Sequence, residues 1–288
     1  MGEPLLQSMI FRHLTSVCCN SSLESDSDRA KCSSCGKRMK FSNGSLWLRE
    51  DEAEDLESEY FSGIRTIIRR RKWLYNLAML VSPVLRLGPK SIDFLRKNSD
   101  QNSIIIDVGS ANNRINSNVT NIDILPYDEV DIVADAQKLP ILDQCVDFII
   151  SETSLEHIPD STSAIEEFSR VLKPGGKIFI EVPFMEPLHA APMDYKRWTV
   201  LGLTNDLSRV GIKVTEGGVS SGPASGFSWM LAEFASTIIS LGSNRIRKLI
   251  SLPIQALCSP IKWLDLILYW FPNSEVMASS IWVVGIKE

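Results

Sequence analysis

From residue 103 onward, the sequence alternates short apolar runs with stretches of helical spacing. The first run, 103–108 (SIIIDV), is rich in β-branched residues, which is typical of a strand buried on both faces. Further candidate strands lie at 118–123, 130–134, 146–151, 177–183, 212–215 and 278–287. Apolar residues at helical spacing fill 163–172 and 199–210 between the later runs. Strands that alternate with helices predict an α/β fold, a parallel sheet with right-handed crossovers.

Composition places the chain among ordinary globular proteins. It has 288 residues, of which 44% are hydrophobic and 23% charged, which suits one large domain with attachments or two small domains. The net charge of -5 argues against nucleic acid as a partner bound by overall electrostatics. No run of about 20 apolar residues predicts a transmembrane helix, and no secretory signal is recognised. The six cysteines do not resemble a disulfide framework, so we expect a reducing, cytoplasmic compartment.

The composition changes along the chain and divides it into three parts. Residues 1–50 are rich in Ser and Cys, and we expect them to form a small segment of their own. Residues 51–100 are predicted to be a helical linker, which looks helical from 63 and carries a basic run at 69–72 before an apolar stretch. Residues 101–288 are predicted to form the main domain, with an apolar helical insertion at 227–271.

Small and acidic residues follow three successive predicted strands. In an open parallel sheet, a nucleotide-type ligand lies at the carboxyl ends of the strands, near the point where the strand order reverses. The loop after the first strand has small residues at 109–111, which permit close approach of the backbone to a ligand. Asp123 ends the second strand and can accept hydrogen bonds from both hydroxyls of a ribose. Asp135, after the third strand, can accept a hydrogen bond from the amino group of adenine. Taken alone, each of these aspartates is more often a turn residue.

Residues 103–184 resemble the catalytic core of class I S-adenosylmethionine (SAM)-dependent methyltransferases, in the methyltransferase-domain group. Four stretches carry the resemblance in the expected order: IIIDVGSANNR, VTNIDI, DIVADAQKLPILDQCVDFIISETSLEHIPD and EEFSRVLKPGGKIFIEVPF. The resemblance implies a Rossmann-like sheet of seven mostly parallel strands with an antiparallel last strand. A small N-terminal ribbon-like segment and the apolar helical insertion would be added to this sheet.

The resemblance also implies SAM as the cofactor and assigns residues to its parts. The methionine end would lie against the first loop, the ribose against Asp123, and the adenine against Asp135 and Ala136. Ser151 and Glu152 would line the site after the fourth strand. The cofactor-binding residues are therefore expected to be Asp107, Gly109, Ser110, Ala111, Asp123, Asp135, Ala136, Ser151 and Glu152.

The first loop departs from the family pattern. The family usually has three glycines at alternate positions, whereas this chain has Gly109, Ala111 and Asn113. Ala111 costs little if its backbone angles are ordinary, and Asn113 tolerates left-handed geometry, so we expect SAM to bind. The short interval from 107 to 123 also predicts a truncated first helix. The competing interpretation, an NAD dehydrogenase, needs G-x-G-x-x-G, which is absent.

Two segments are candidates for the methyl-acceptor side. Glu156 and His157 follow the fourth strand, and a segment rich in functional groups begins at His189 after the fifth. Methyl transfer needs mainly proximity and orientation, so a base is optional; His157 and His189 are the candidate bases. The candidate substrate-binding residues are Asp194, Tyr195, Arg197 and Trp198. Alternatively, Glu156 and His157 order their loop, Asp194 pairs with Arg197, and Trp198 packs into the core.

Four cysteines near the N-terminus form an incomplete zinc-binding pattern. Cys32-Ser33-Ser34-Cys35-Gly36 is half of a zinc knuckle, since two thiolates at this spacing can share one ion. Upstream, Cys18 and Cys19 are adjacent, Ser21 stands where a fourth thiolate would fall, and His13 is a potential substitute. The segment resembles, in degraded form, the zinc-ribbon extension that precedes some methyltransferase domains. The incomplete pattern favours the alternative of an eroded ribbon held by its own small core, without zinc.

The apolar insertion at 227–271 suggests contact with a membrane surface. Pro253 and Pro260 interrupt it, and Lys262 and Asp265 disfavour a bilayer crossing. Its tryptophans and neighbouring basic residues suit a helix that lies in a membrane interface, which the basic run at 69–72 would reinforce. The alternatives are a helical subdomain over the active site and a dimer interface.

The sequence therefore predicts a methyltransferase that moves a methyl group from SAM to an unidentified small-molecule or lipid-linked acceptor. The apolar insertion weakly favours a lipid, a quinone or a lipid-linked glycan. The alternative, from another functional class, is a catalytically silent SAM-fold protein that binds partners, suggested by the altered first loop. SAM binding distinguishes the two.

Overall fold

The computed structural model describes residues 8–16, 18–26, 29–42, 44–49, 82–189 and 193–288. The strands are β1 (Leu23–Asp26), β2 (Arg29–Cys32), β3 (Lys40–Ser42), β4 (Ser45–Trp47), β5 (Ile105–Val108), β6 (Val119–Asp123), β7 (Ile132–Val133), β8 (Val146–Glu152), β9 (Leu172–Pro183), β10 (Ile212–Ser221) and β11 (Ser280–Lys287). The helices are α1 (Ser91–Asn98), α2 (Ser161–Val171), α3 (Val200–Ser208), α4 (Pro223–Ile239), α5 (Asn244–Cys258) and α6 (Asp265–Leu268). Short 3₁₀ turns are Met9–His13, Leu155–His157, Ser259–Leu264 and Ser274–Met277.

One large sheet organises this part of the chain, in the order β10-β11-β9-β8-β5-β6-β7-β4-β3. The central strands from β9 to β7 are parallel, and β11 lies antiparallel between β9 and β10. The seven strands from β10 to β7 confirm the predicted Rossmann-like sheet with its antiparallel last strand. Strand order reverses between β5 and β8, which places a ligand crevice at their carboxyl ends.

The central strands form because their side chains are buried on both faces. All four residues of β5 are buried, as are all five of β6. Helix α2 begins at the side chain of Asp160, which accepts the backbone N–H groups of Thr162 and Ser163. Its apolar stripe, including Ile165 and Phe168, packs into the core.

Three details differ from the sequence prediction. Strand β9 begins directly after α2, because the Lys-Pro-Gly-Gly turn at 173–176 is absorbed as an irregularity in its pairing with β8. Strand β10 continues past the predicted end at residue 215 to Ser221. In the described part of the predicted helical linker, residues 82–90 are not helical and α1 begins at Ser91, since Pro83 and Pro89 interrupt a helix. The rest of the linker, including the basic run at 69–72, lies outside the described residues.

The N-terminal ribbon extends the main sheet. Strand β4 pairs in parallel with β7, matching Leu46 to Ile132 and Trp47 to Val133, so the sheet gains β4 and β3 beyond the seven predicted strands. Leu14 and Leu46 are fully buried in the same hydrophobic core as the central strands. The ribbon therefore covers the edge of β7, which would otherwise present unpaired backbone groups.

The predicted apolar insertion at 227–271 is helical, and its polarity is inverted. Helix α4 buries small residues such as Ser228 and Ser236, while Phe234 on its outer side is 65% exposed. In the 3₁₀ turn and α6, Lys262 and Asp265 are buried, and the large apolar side chains between and after them face outward. Within the described residues, no helix is both long and apolar enough to span a bilayer.

Candidate active site

The loop after β5 is held against the sheet by a close contact at Gly109. Its φ is +80°, and a Cβ added there would lie 2.2 Å from the Cβ of Ser154. Its N–H donates to the carbonyl oxygen of Ile122 at 2.8 Å, which ties the loop to β6. Only glycine fits this position, because both the backbone conformation and the space exclude a side chain.

Ala111, and not Asn113, adopts the left-handed conformation in this loop. The φ of Ala111 is +49°, so its backbone angles are not ordinary, and glycine would be less strained there. The Ala111 N–H donates to Asp123 Oδ2 at 2.9 Å, and the Leu125 N–H donates to Oδ1 at 2.9 Å. Asp123 thus fixes the strained residue from the next strand. Residues 109–118 form no helix, so the first helix is absent and not only truncated as the sequence predicted.

Negative charge is concentrated at the carboxyl ends of β5, β6 and β8. Asp107 is buried, and burial, followed by the charges of Glu152 and Asp123, raises its pKa well above the ordinary value. A cationic ligand would relieve this repulsion. SAM carries two cationic centres, a sulfonium and an ammonium, so its charge is complementary to these carboxylates.

Arg86 is a residue of this site that the sequence did not indicate. It donates to both carboxylate oxygens of Glu152, at 2.9 and 3.3 Å, and it also pairs with Glu181. These partners lie 66 and 95 residues away, so no local motif signals the ion pair. Arg86 holds the Glu152 side chain in a fixed direction at the end of β8.

The other residues predicted to bind the cofactor lie in the same rim of loops. Asp135 accepts the Gln137 N–H at 2.9 Å and the Gln137 amide at 3.1 Å, so it also shapes a turn. Ala136 is partly buried against the core. Ser151 and Ser154 share a hydrogen bond of 2.7 Å. The Ser110 hydroxyl is buried without a hydrogen-bond partner in the described part of the chain.

The two candidate bases lie next to each other. The His157 and His189 rings are 5.0 Å apart between centroids, and the Nε2 atom of each is 3.7 Å from Oε1 of the buried Glu156. Burial also raises the pKa of the nearby Glu186 to about 7. The Trp229 ring of α4 lies 5.5 Å from the His189 ring. The insertion therefore adjoins the histidines.

The segment after His189 is built largely as a structural loop. Asp194 and Arg197 form an ion pair, and the His189 N–H donates to Asp194 at 2.8 Å. Trp198 is buried in the core, and its indole N–H donates to Asp206 at 3.0 Å. Tyr195 is half exposed. The geometry of Asp194, Arg197 and Trp198 matches the alternative in which they order the loop.

The four N-terminal cysteines are brought together. One sulfur from each of Cys18, Cys19, Cys32 and Cys35 lies within 4.8 Å of the others, and Cys18 Sγ is 3.6 Å from Cys35 Sγ. The Ser16 hydroxyl donates to Cys32 at 3.2 Å, and this bond, together with backbone N–H groups, lowers the pKa of Cys32 to about 6. His13 does not belong to this group among the described residues.

Comparisons with known proteins agree with this architecture. A family model described as a methyltransferase domain matches residues 93–180. The ubiquinone/menaquinone biosynthesis C-methyltransferase UbiE of Acidiphilium cryptum is 38% identical over 72 residues, which are 25% of this chain and 28% of that protein. The uncharacterized protein YafE of Escherichia coli is 39% identical over 54 residues, 19% of this chain and 26% of that one. The matches thus cover about a quarter of each curated relative.

Solved structures give weaker likeness over longer stretches. The Haemonchus contortus phosphoethanolamine N-methyltransferase 2 in complex with SAM has a TM-score of 0.48 and 13% identity, covering 83% of this chain and 60% of that chain. The YcgJ protein from Bacillus subtilis has a TM-score of 0.44 and 13% identity, covering 69% and 98%. From the sheet, the motifs and the family match, residues 93–180 are a class I SAM-dependent methyltransferase domain.

Proposed function

We propose that the chain transfers a methyl group from SAM to a small-molecule or lipid-linked acceptor. The observation that supports this most is the cluster of Asp107, Asp123 and Glu152 at the carboxyl ends of adjacent strands, beside a loop that only Gly109 can form. The acceptor would attack the methyl carbon in line with the C–S bond, and S-adenosylhomocysteine would leave. The protein would contribute mainly orientation and exclusion of water.

Calorimetric titration with S-adenosylhomocysteine tests cofactor binding directly. We expect micromolar affinity, about -8 kcal/mol, and at least about tenfold weaker binding for Asp123→Ala, because the ribose acceptor and the anchor of Ala111 are both lost. Asp123→Asn keeps the shape and removes the charge. The control is Asp93→Ala on the exposed face of α1. This residue pairs with the exposed Arg96 at 3.5 Å, and its loss should leave affinity unchanged.

The outcomes separate the two functional classes. Unchanged affinity in both Asp123 variants would show that the site is assigned wrongly. If the folded wild-type protein does not bind at millimolar ligand, the chain is a catalytically silent protein that binds partners.

We further propose that the helical insertion rests on a membrane surface. In a soluble protein, large apolar side chains turn inward, but here the buried side of α4 carries serine hydroxyls. Ser225 donates to Asp265 at 2.7 Å, Ser228 to the Cys258 carbonyl at 2.8 Å, and Ser236 to the Ala232 carbonyl at 2.7 Å. Exposed apolar side chains cover the outer surface: Phe227, Met230, Phe234, Ile238, Ile239, Leu249, Leu257, Trp263, Leu266, Ile267 and Trp270.

The charged residues of the insertion explain why a bilayer surface fits this face. Lys262 donates to the Ser82 carbonyl at 2.6 Å, and Asp265 accepts two backbone N–H groups of α4, so neither charge points outward. Arg245 and Lys248 are exposed on α5 and are suited to anionic headgroups. Because Trp229 of α4 contacts His189, a lipid or lipid-linked acceptor in the bilayer would lie close to the transfer site.

Vesicle sedimentation measures how tightly this surface binds a membrane. We expect the protein to bind phosphatidylcholine vesicles that contain phosphatidylglycerol. Leu257→Ser with Trp270→Ser should weaken binding at least about tenfold, since each such side chain contributes ~1.5–3 kcal/mol when it leaves water. Leu201→Ser is the matched control, because the Leu201 side chain on α3 is 69% exposed and lies outside the insertion, and this variant should bind as the wild type. If the wild type does not bind vesicles but forms dimers, and the double variant is monomeric, the face is a subunit interface.

We also infer that the cysteine cluster binds one Zn²⁺. Four ligands on a tetrahedral ion with Zn–S bonds of about 2.3 Å place their sulfurs about 3.8 Å apart, close to the 3.6 Å between Cys18 and Cys35. Adjacent Cys18 and Cys19 would then replace the missing second C-x-x-C. Native mass spectrometry should detect zinc on the wild type and one zinc ion fewer on Cys35→Ser; a wild type without zinc would favour the eroded ribbon.

A further inference from the structure

A second group of metal-ligand side chains lies on the acceptor side. The group consists of Glu156, His157 and His189, whose ligand atoms lie within 4.8 Å of one another. Glu156 and His157 belong to the 3₁₀ turn after β8, and His189 arrives on the loop after β9. The fold therefore brings two imidazoles and a carboxylate from distant parts of the chain to one point.

The distances in this group do not fit direct hydrogen bonds. Each Nε2 atom is 3.7 Å from Glu156 Oε1, whereas an N–H···O bond spans about 2.7–3.2 Å. Metal bonds of about 2.0–2.2 Å place neighbouring ligand atoms about 3.0–3.6 Å apart. The observed spacing is close to that of two ligands on one ion.

Glu156 is buried in a way that calls for a cation. The residue has no exposed surface, and neither carboxylate oxygen has a hydrogen-bond partner among the described residues. An ionised carboxylate without hydrogen bonds is costly in a protein interior. Arg197 contributes positive charge nearby, and a bound metal ion would supply the direct coordination that the two oxygens lack.

The orientation of His157 leaves the correct nitrogen free. Its Nδ1 lies 2.6 Å from the Met193 carbonyl oxygen, which can only accept, so Nδ1 carries the hydrogen. In the neutral ring, Nε2 then offers its lone pair toward Glu156. Nδ1 of His189 lies 3.3 Å from the Pro187 carbonyl oxygen and 3.4 Å from Nη2 of Arg197, with its Nε2 also toward Glu156. A carbonyl that fixes the second ring nitrogen, as that of Met193 does for His157, is usual for histidine ligands of metals.

We propose that Glu156, His157 and His189 form a binding site for one divalent transition-metal ion, such as Zn²⁺ or Fe²⁺. Three protein ligands would leave coordination positions open. The role of the metal in catalysis rests on the proposed methyl transfer. An acceptor hydroxyl would bind at an open coordination position of the metal ion and would then release its proton to solvent more readily. Its oxygen would then form the bond to the methyl carbon as the C–S bond breaks and S-adenosylhomocysteine leaves.

Metal stoichiometry tests the site independently of activity. The full chain is loaded with Co²⁺, desalted, and measured by elemental analysis and visible absorption. We expect two ions per chain for the wild type, and one for His189→Ala, for the isosteric Glu156→Gln and for Cys35→Ser. Thiolate-to-cobalt absorption should disappear only in Cys35→Ser. The matched control is His13→Ala, the remaining histidine of the sequence, which should retain both ions.

Two results would overturn the site. Either His189→Ala and Glu156→Gln hold as much cobalt as the wild type, or the wild type holds only the ion that Cys35→Ser loses. In the second case, the histidines and Glu156 share protons rather than a metal. S-adenosylhomocysteine titration of the same samples separates the two proposals. If the wild type does not bind S-adenosylhomocysteine but His189→Ala still holds one ion fewer, the metal site is supported and the methyl-transfer role is not.

Discussion

Replacing Gly109 with alanine is expected to weaken S-adenosylhomocysteine binding at least about 100-fold. The added Cβ would lie 2.2 Å from Ser154 Cβ and 2.5 Å from its Oγ, and the φ of +80° would be strained in any case. The loop must therefore move away from β8. Since its backbone is proposed to hold the methionine end of SAM, a shift of about 1 Å removes contacts that depend on geometry.

A second substitution shows whether the contact with Ser154 is the cause. Ser154→Gly removes both clashing atoms, and the nearest remaining atom of that residue would be 3.6 Å away. The double variant should recover part of the affinity, while retaining the cost of the positive φ. Ser154→Gly alone should lose some stability, because its hydroxyl donates to the Val108 carbonyl at 3.0 Å. If Gly109→Ala binds normally, the loop does not hold the cofactor.

The sheet could be predicted from the sequence because its signals are local. Four of the six residues in 103–108 are β-branched, and apolar β-branched residues are typical of a strand buried on both faces. Asp123 was recognisable for a similar reason, since it directly follows such a run. The strand bounds moved by only a few residues, except at β9 and β10, where turn residues and polar residues continue the pairing.

Long-range contacts were beyond sequence reasoning. The ion pairs of Arg86 join segments 66 and 95 residues apart. The pairing of β4 with β7 also joins distant segments, and the hydrogen bond from the Ser45 hydroxyl to the Val130 carbonyl beside it spans 85 residues. Loop conformation also depends on such partners. Ala111 adopts the left-handed conformation because Asp123 accepts a hydrogen bond from its N–H. Residue propensity alone would assign this conformation to Asn113.

The insertion shows the difference between composition and orientation. Its apolar content predicted helices, and Lys262 and Asp265 were interpreted as charges that disfavour a bilayer crossing. The structure turns both inward, where Asp265 accepts N–H groups at the start of α4. Its buried carboxylate thus allows the surrounding surface to be apolar. Periodicity could not reveal this, because the outward face is the apolar one.

Removal of the zinc ion proposed for the cysteine cluster is expected to destabilise the whole domain. The ribbon supplies β4 to the edge of β7 and buries Leu14 and Leu46 in the common core. A structural zinc ion contributes directly to the folding of small segments. Cys35→Ser, or chelator treatment of the wild type, should lower the unfolding free energy by about 3 kcal/mol and the melting temperature by about 6–12 °C.

Cys258→Ser is the matched control, because Cys258 lies at the end of α5 and takes no part in the cluster. It should melt near the wild type and should still lose stability when a chelator is added. Cys35→Ser, in contrast, should no longer respond to the chelator at the ribbon. If the chelator removes zinc from the wild type and the melting temperature does not change, the ribbon holds β7 by its apolar contacts alone. The sheet edge would then need no metal, and the four cysteines would be retained for another reason.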